Sequence, residues 1–395
     1  MRTTHLVVKV ASRCNLNCTY CYMYNMGDDS YKSQPKFMSQ QTVKSMLTRI
    51  KNHCNENNLT DFLIIFHGGE PLLAGITFFK DFIKFVNEII PSSIEMSYTM
   101  QSNAVLLDEK ICQELCELGI GIGISLDGTP SSNNKNRIYH NGKGSYDEII
   151  RGAALVKDVY GDEYSDFLCV IDTNEKPKDV YNHFKKLGAN SIHFLFQDFN
   201  YILSDQNSVP KIGIWLVEMF DLWYNDEDKN KPEIRPLNDL IGLILGLDKN
   251  SENFGKGVND TLVIETNGSI ETVDTLRICG NGFTKTEFNV DKDELNSIYE
   301  GSELAQKFYY GHDNLCEKCK NCALESICGG GYLGHRYSPK NQFDNPSIYC
   351  KEIIEIICHI QNQLLSELPL ETIQNLQVEA LNYNEIITEL DQYAT

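Results

Sequence analysis

The stretch LVVKVASRCNLNCTYC, residues 6–21, decides how the rest of the chain reads. Its first half, LVVKV, has the β-branched composition and length of a strand. Its second half carries Cys14, Cys18 and Cys21 at C-x3-C-x2-C spacing. Three thiolates on one loop can bind three irons of a cubane cluster and leave the fourth iron open to a ligand. A structural zinc site would want a fourth ligand close by, and the first Cys or His residues after Cys21 are His53 and Cys54.

Outward from this loop, short apolar runs alternate with amphipathic stretches. Strands are predicted at 6–10, 62–66, 95–100, 121–125, 166–171 and 191–196, and helices at 40–53, 77–89, 108–118, 146–159 and 178–187. Alternating βα units imply a parallel sheet. Periodicity fits a doubly wound sheet and an incomplete barrel equally, and in both the chemistry gathers at the C-terminal strand ends. The sequence obeys that rule. The Cys14 loop follows the first strand, HGGEP (His67–Pro71) the second, QSN (Gln101–Asn103) the third and LDG (Leu126–Gly128) the fourth.

The chain has 395 residues, 42% of them apolar, which is enough to bury a core without resembling a membrane protein. Acidic residues outnumber basic ones by 55 to 35 for a net charge of −20, which argues against nucleic acid as a partner because phosphate binding needs clustered Lys and Arg. The N-terminal apolar run is broken by Lys9 and ended by Arg13, so it is no secretory signal. A cytoplasmic, reducing setting without membrane attachment is expected, and there fourteen cysteines point to metal or redox chemistry rather than disulfides.

Cys54, Cys112, Cys116 and Cys169 are scattered through predicted helices and strands and read as small buried hydrophobes. The last third is different. Cys319, Cys322 and Cys328 form C-x2-C-x5-C, Cys350 follows, and Cys279, Cys316 and Cys358 lie nearby in sequence. Four such thiolates fit a closed [4Fe-4S] cluster or an all-cysteine zinc site. Charge and proline at 228–236 mark a boundary, giving three expected blocks: a sheet domain at 1–230, a cysteine-rich domain at 231–359 and an acidic helical tail at 360–395 that contains no Lys or Arg.

Cys14, Cys18 and Cys21, with Tyr20 at the aromatic position of C-x3-C-x-Φ-C, resemble the signature of the radical S-adenosylmethionine (radical SAM) superfamily. The resemblance implies an α/β fold, a partial (β/α)6 TIM-like barrel. It implies S-adenosyl-L-methionine chelated to the open iron of a [4Fe-4S] cluster and cleaved to a 5′-deoxyadenosyl radical. Gly68, Gly69, Glu70 and Pro71 match the family's GGEP and are implied to receive the methionine ammonium. Ser102 and Asn103 are implied to meet ribose or carboxylate, Ser125 and Asp127 ribose or substrate, and Tyr20 adenine. Ser, Asn and Asp are equally the ordinary occupants of turns and caps. The late cysteines resemble a SPASM domain, implying one or two auxiliary [4Fe-4S] clusters. Cys319, Cys322, Cys328 and Cys350 match its second cluster. The pattern for the first cluster fails, because Val273 and Tyr332 stand at cysteine positions; Cys279 and Cys316 are the better remaining ligand candidates. Asp274 follows Val273, where sulfatase-maturing members of the family carry a basic Asp.

Local similarity in IETNGSIETVDTLRICG and in the CGGGYLGHRYSPKNQFDNPSIYC segment is closest to SPASM maturases that crosslink an aromatic ring to an aliphatic carbon in a ribosomally made precursor peptide. The reaction expected from it is cyclophane formation on a peptide with a leader sequence, supported by a cellular one-electron donor. His335 and Arg336 are expected to line the substrate end or to fix their loop. The alternatives are formylglycine formation, peptide thioether or epimerisation chemistry and, from a different class, a noncatalytic iron–sulfur electron carrier. The open-iron loop with GGEP argues against the last.

Overall fold

A computed structural model describes residues 2–161, 165–203, 209–249, 251–376 and 378–393. The chain divides into two compact units. The first comprises Met1–Val170, Gly188–Ile192 and Asp260–Tyr309, and the second Ile171–Leu187, His193–Asn259 and Tyr310–Thr395. These are not consecutive blocks. The predicted boundary at 228–236 lies inside the second unit, and a helix, Cys350–Ser366, runs through the junction expected at 359/360.

In the first unit, β1 (His5–Ala11), β2 (Asp61–Gly68), β3 (Glu95–Ser102), β4 (Ile120–Ser125) and β5 (Asp166–Val170) pair in sequence order, all parallel. β6 (Ser191–Leu195) starts beside β5, where the Asn190 amide donates to the Ser165 carbonyl at 2.8 Å. All six strands lie where the alternation predicts, and the helices between them cover an open, partial barrel. β7 (Glu233–Ile234) belongs to the second unit. β8 (Leu262–Ile264) pairs parallel with β1 and β9 (Ile270–Glu271) antiparallel with β8, which ties residues 260–309 to the first unit.

The barrel helices form because their apolar residues recur at helical spacing and their ends are capped. Helix Gln40–Asn57 buries Val43, Met46, Leu47, Ile50 and Cys54; Ser39 accepts from the Thr42 amide, and Asn58 ends the helix in the left-handed conformation (φ 52°). Helix Ile76–Ile89 buries Phe79 and Phe82, which meet Phe66 of β2 edge-on at centroid distances of 5.2 and 4.9 Å. This packing fixes the strand from which the GGEP turn emerges. Cys54, Cys112 and Cys169 are buried as expected, but Cys116 is exposed on the solvent side of helix Glu109–Glu117.

In the second unit, helices Ile212–Tyr224, Arg235–Ile244 and Cys350–Ser366 pack together, with the cysteine-rich loops of 316–349 leading into the last of them. Among the described residues no helix is long and apolar enough to cross a membrane.

Candidate active site

The parallel sheet brings the ends of β1 to β4 to one rim. β1 and β2 run in register as far as Lys9 opposite His67; an irregularity then sets Ala11 opposite Gly68. Beyond it the Gly69 amide donates to the Ala11 carbonyl (2.8 Å) and the Glu70 amide to the Arg13 carbonyl (3.0 Å), which fastens the GGEP turn to the cysteine loop. A side chain at Gly68 (φ +148°) would run into the Ala11 carbonyl, and one at Gly69 into Tyr24 and the Arg13 carbonyl. Here the glycines are required by close backbone approach.

Cys14, Cys18 and Cys21 share this loop. The Asn17 amide donates to Ile138 (2.7 Å) and the Thr19 amide to Asn136 (3.0 Å), so the loop is clasped by the segment after β4. Burial pushes the Cys21 thiol up to about 12, with the neighbouring Cys18 adding to the effect, and burial with Glu70 pushes Cys14 up as well. Three thiols that disfavour one another's thiolates need a cationic partner to ionise, and soft sulfur donors suit iron. Asn15 Nδ2, beside Cys14, is buried without a hydrogen-bond partner, a donor left for a bound group. These features fit a cluster with a ligand on its open iron. Among the described residues no three Cys, His, Asp or Glu side chains close on one point as a single metal ion requires; a cubane spreads its thiolates over separate irons.

Glu70 is buried, and its carboxylate accepts from the Leu72 amide (3.1 Å), the Ser102 hydroxyl (2.8 Å) and the Asn103 amide (2.8 Å). Three of the roughly four acceptor positions of a carboxylate are therefore taken by the protein itself. Glu70 chiefly locks the β2 and β3 rims together, with little capacity left for a ligand ammonium. Asn103 donates from Nδ2 to Asn15 Oδ1 (2.8 Å) and lies 3.8 Å from the Cys14 sulfur. The Tyr20 hydroxyl donates to Asp127, whose other oxygen accepts from the Val170 amide (3.2 Å), and Arg137 donates to the Tyr20 hydroxyl (3.1 Å). Tyr20 is thus pinned by its hydroxyl to the end of β4. Ser125 accepts from Gln101 (2.8 Å). Arg137, which also faces Cys18, was not foreseen; nothing in RIYHNGKG distinguishes it from an exposed Arg.

Asp274 opens a short 3-10 turn, Asp274–Cys279, and is buried. The Lys9 ammonium, fully buried on β1, donates to its carboxylate, as does the Tyr22 hydroxyl (2.9 Å). Burial alone would raise the Asp274 pKa, but Lys9 overcomes it and holds the group well below the usual carboxylate range. His67 Nδ1 lies 2.9 Å from the Lys9 nitrogen, and burial, then the Lys9 charge, lowers the imidazole to about 4, leaving it neutral at pH 7. Nearby, Arg277 meets Glu265 (2.6 Å), Glu271 (3.3 Å) and Asp28 (3.5 Å). Burial raises Glu265 to about 7 against the pull of Arg277. Lys9 was visible in LVVKV only as a break in an apolar run; a charge inside a buried strand is the signal of a buried partner.

In the second unit, Cys319, Cys322, Cys328 and Cys350 line one pocket with Lys318, Glu325, Gly330, Ile354 and Leu390. Cys319 lies on the turn Glu317–Lys320, Cys328 ends the turn Glu325–Cys328, and Cys350 begins the long helix. Gly329, Gly330 and Gly331 follow with φ of 63°, 82° and 70°, a left-handed run that only glycine makes freely. The Cys316 thiol is hydrogen-bonded to Cys319 and thereby joins the group, whereas Cys279 is buried in the first unit. His335 and Arg336 are both buried; Arg336 fixes its loop through the carbonyls of Gly311, Asn314 and Phe343.

Residues 8–187 match the family model of the radical SAM superfamily. A cysteine-type anaerobic sulfatase-maturating enzyme of Clostridium novyi is 27% identical over 89% of this chain and 93% of its own length. A serine-type counterpart from Bacteroides thetaiotaomicron is 25% identical over 86% and 83%. The solved structure of native anSMEcpe with bound AdoMet superposes with a TM-score of 0.78, at 24% identity, covering 92% of this chain and 98% of that one. These full-length relatives overturn the expected cyclophane chemistry. The similarities that suggested it are confined to two short segments, whereas the likeness to sulfatase-maturating enzymes covers 89% of the chain. The rim, the cysteine loop and the match over residues 8–187 agree on a radical SAM region within this chain, an enzyme with S-adenosyl-L-methionine and [4Fe-4S] iron–sulfur centres as its cofactors.

Proposed function

We propose that this chain oxidises a side chain of a peptide or protein substrate to an aldehyde, as a sulfatase-maturating enzyme does, with cysteine as the preferred target. The observation that carries the reading is Asp274: a buried carboxylate, held ionised by Lys9 and reached by Tyr22, in the first unit with the cysteine loop. Support for cysteine as target comes from the cysteine-type relatives, at 27–28% identity against 22–25% for the serine-type ones. Solved relatives of this fold include anSMEcpe holding AdoMet and a peptide, at 25% identity.

Cys14, Cys18 and Cys21 would hold the catalytic cluster, with Gly68, Gly69, Asn103 and Asn15 around its ligand. When bound, cluster and S-adenosyl-L-methionine supply a hydrogen-abstracting 5′-deoxyadenosyl radical. The chain's own task is then to orient the substrate carbon and receive a proton. Loss of a hydrogen atom from the Cys β-carbon makes the adjoining thiol strongly acidic, so a carboxylate held at low basicity by Lys9 suffices to take its proton. Cys319, Cys322, Cys328 and Cys350 would hold an iron–sulfur cluster able to serve as the one-electron acceptor the oxidation requires, and water replaces sulfur to give the aldehyde with release of hydrogen sulfide. Anaerobic incubation of reconstituted enzyme with a cysteine-containing sulfatase peptide tests this: a hydrazine-reactive product and released sulfide are expected, and a dehydrogenated product without aldehyde would refute it.

A further inference from the structure

Among the described residues three large cations are almost wholly buried, and one of them has no carboxylate partner. Lys9 meets Asp274, and Arg277 meets Glu265, Glu271 and Asp28. Arg336, 1% exposed in the second unit, spends its donors on backbone carbonyls: Phe343 (3.2 and 3.0 Å), Gly311 (2.7 Å) and Asn314. Among the described residues no carboxylate forms an ion pair with it. Carbonyl dipoles do not neutralise a full charge, and a buried cation without a counter-ion is strongly unfavourable. The other charges around the neighbouring cavity are paired, Lys318 with Asp391 (3.4 Å) and Glu325 with Lys256 (2.6 Å). Its Nη1 lies 3.7 Å from where a side chain on Gly330 would begin, and Gly330 lines the pocket with Cys319, Cys322, Cys328 and Cys350.

We propose that Arg336 is the built-in counter-ion of an anionic iron–sulfur cluster held by Cys319, Cys322, Cys328 and Cys350, a positioning residue that raises the cluster's reduction potential. This rests on the reading above that those four cysteines bind a cluster. A cubane with four thiolates carries net negative charge, which grows by one when it is reduced; a fixed positive charge beside it favours the reduced form most. The electron it gains comes from the peptide radical, and no bond forms or breaks at Arg336.

The test is potentiometry followed by EPR on anaerobically reconstituted wild type, Arg336→Gln and Arg336→Lys, with iron counted per chain. Arg336→Gln is expected to keep its iron while the second cluster's potential moves to more negative values and the Cys14-loop cluster stays unchanged. Arg336→Lys, which keeps charge but loses the forked hydrogen bonds, is expected to stay near wild type. Equal shifts in both variants, or none in Arg336→Gln, would overturn the proposal and leave a purely structural pin. If Arg336→Gln fails to fold, Arg336→Met takes its place, with the same move to more negative potential expected and an unmoved potential refuting the charge role. Absence of any second cluster from wild type would instead defeat the reading on which the proposal rests.

Discussion

The two units treat buried charge in opposite ways. In the first, Lys9 and Arg277 are enclosed by carboxylates from distant parts of the sequence, so the protein is electrostatically complete beneath its rim. In the second, Arg336 is bonded to backbone carbonyls beside the cysteine pocket, and among the described residues no carboxylate pairs with it. On the proposed reading the first arrangement would hold Asp274 as a base, and the second would complete its charge balance only with a cluster bound. The difference teaches that the first unit should keep its fold without iron, whereas the second should depend on it.

The largest expected effect that sharpens this contrast is at the cysteine loop. Cys14→Ala should abolish 5′-deoxyadenosine formation while leaving the second unit's iron in place, measured by product chromatography and iron analysis. Asp274→Asn comes next: it should lower aldehyde formation by about 10²–10⁴-fold while S-adenosylmethionine cleavage persists. Asp274→Ala, which leaves Lys9 buried and unpaired, should in addition destabilise the first unit by about 3–5 kcal/mol in denaturant unfolding. A stable Asp274→Ala would break the claim that this unit's charges complete one another. Cys316→Ala is smaller: iron per chain should be unchanged, because Cys316 touches Cys319 rather than the cavity.

The smallest effect is a pH dependence that two groups nearly cancel. Glu265, raised to about 7 from 4.5, binds its proton more tightly folded than unfolded, so its stabilisation is complete at low pH and is lost as pH rises toward 7. His67, lowered to about 4 from 6.5, binds its proton less tightly folded, so its stabilisation is present above 6.5 and is lost as pH falls toward 4. Wild-type melting should therefore vary little between about pH 5 and 6.5 on their account, and His67→Gln should uncover a fall in Tm with rising pH. An equal slope in both proteins would show that the two charges do not offset.

The six parallel strands and the rim they form were legible because alternation and strand-end motifs are local properties. Residues 260–309 were not, because the three-residue strand Leu262–Ile264 carries too little pattern to reveal that it pairs with β1. Asp274 was visible through its neighbour Val273, but Lys9 and His67 became its partners only through the β1–β2 register. Arg336 was legible as a loop residue; that its charge lacks a partner is a property of packing alone.

The central claim is that the chain removes a hydrogen atom from the β-carbon of a target cysteine and completes an oxidation. A peptide carrying deuterium at that carbon tests it most directly. The account predicts deuterium in 5′-deoxyadenosine in step with aldehyde formed; aldehyde appearing with unlabelled 5′-deoxyadenosine, or deuterium transfer without aldehyde, would contradict it.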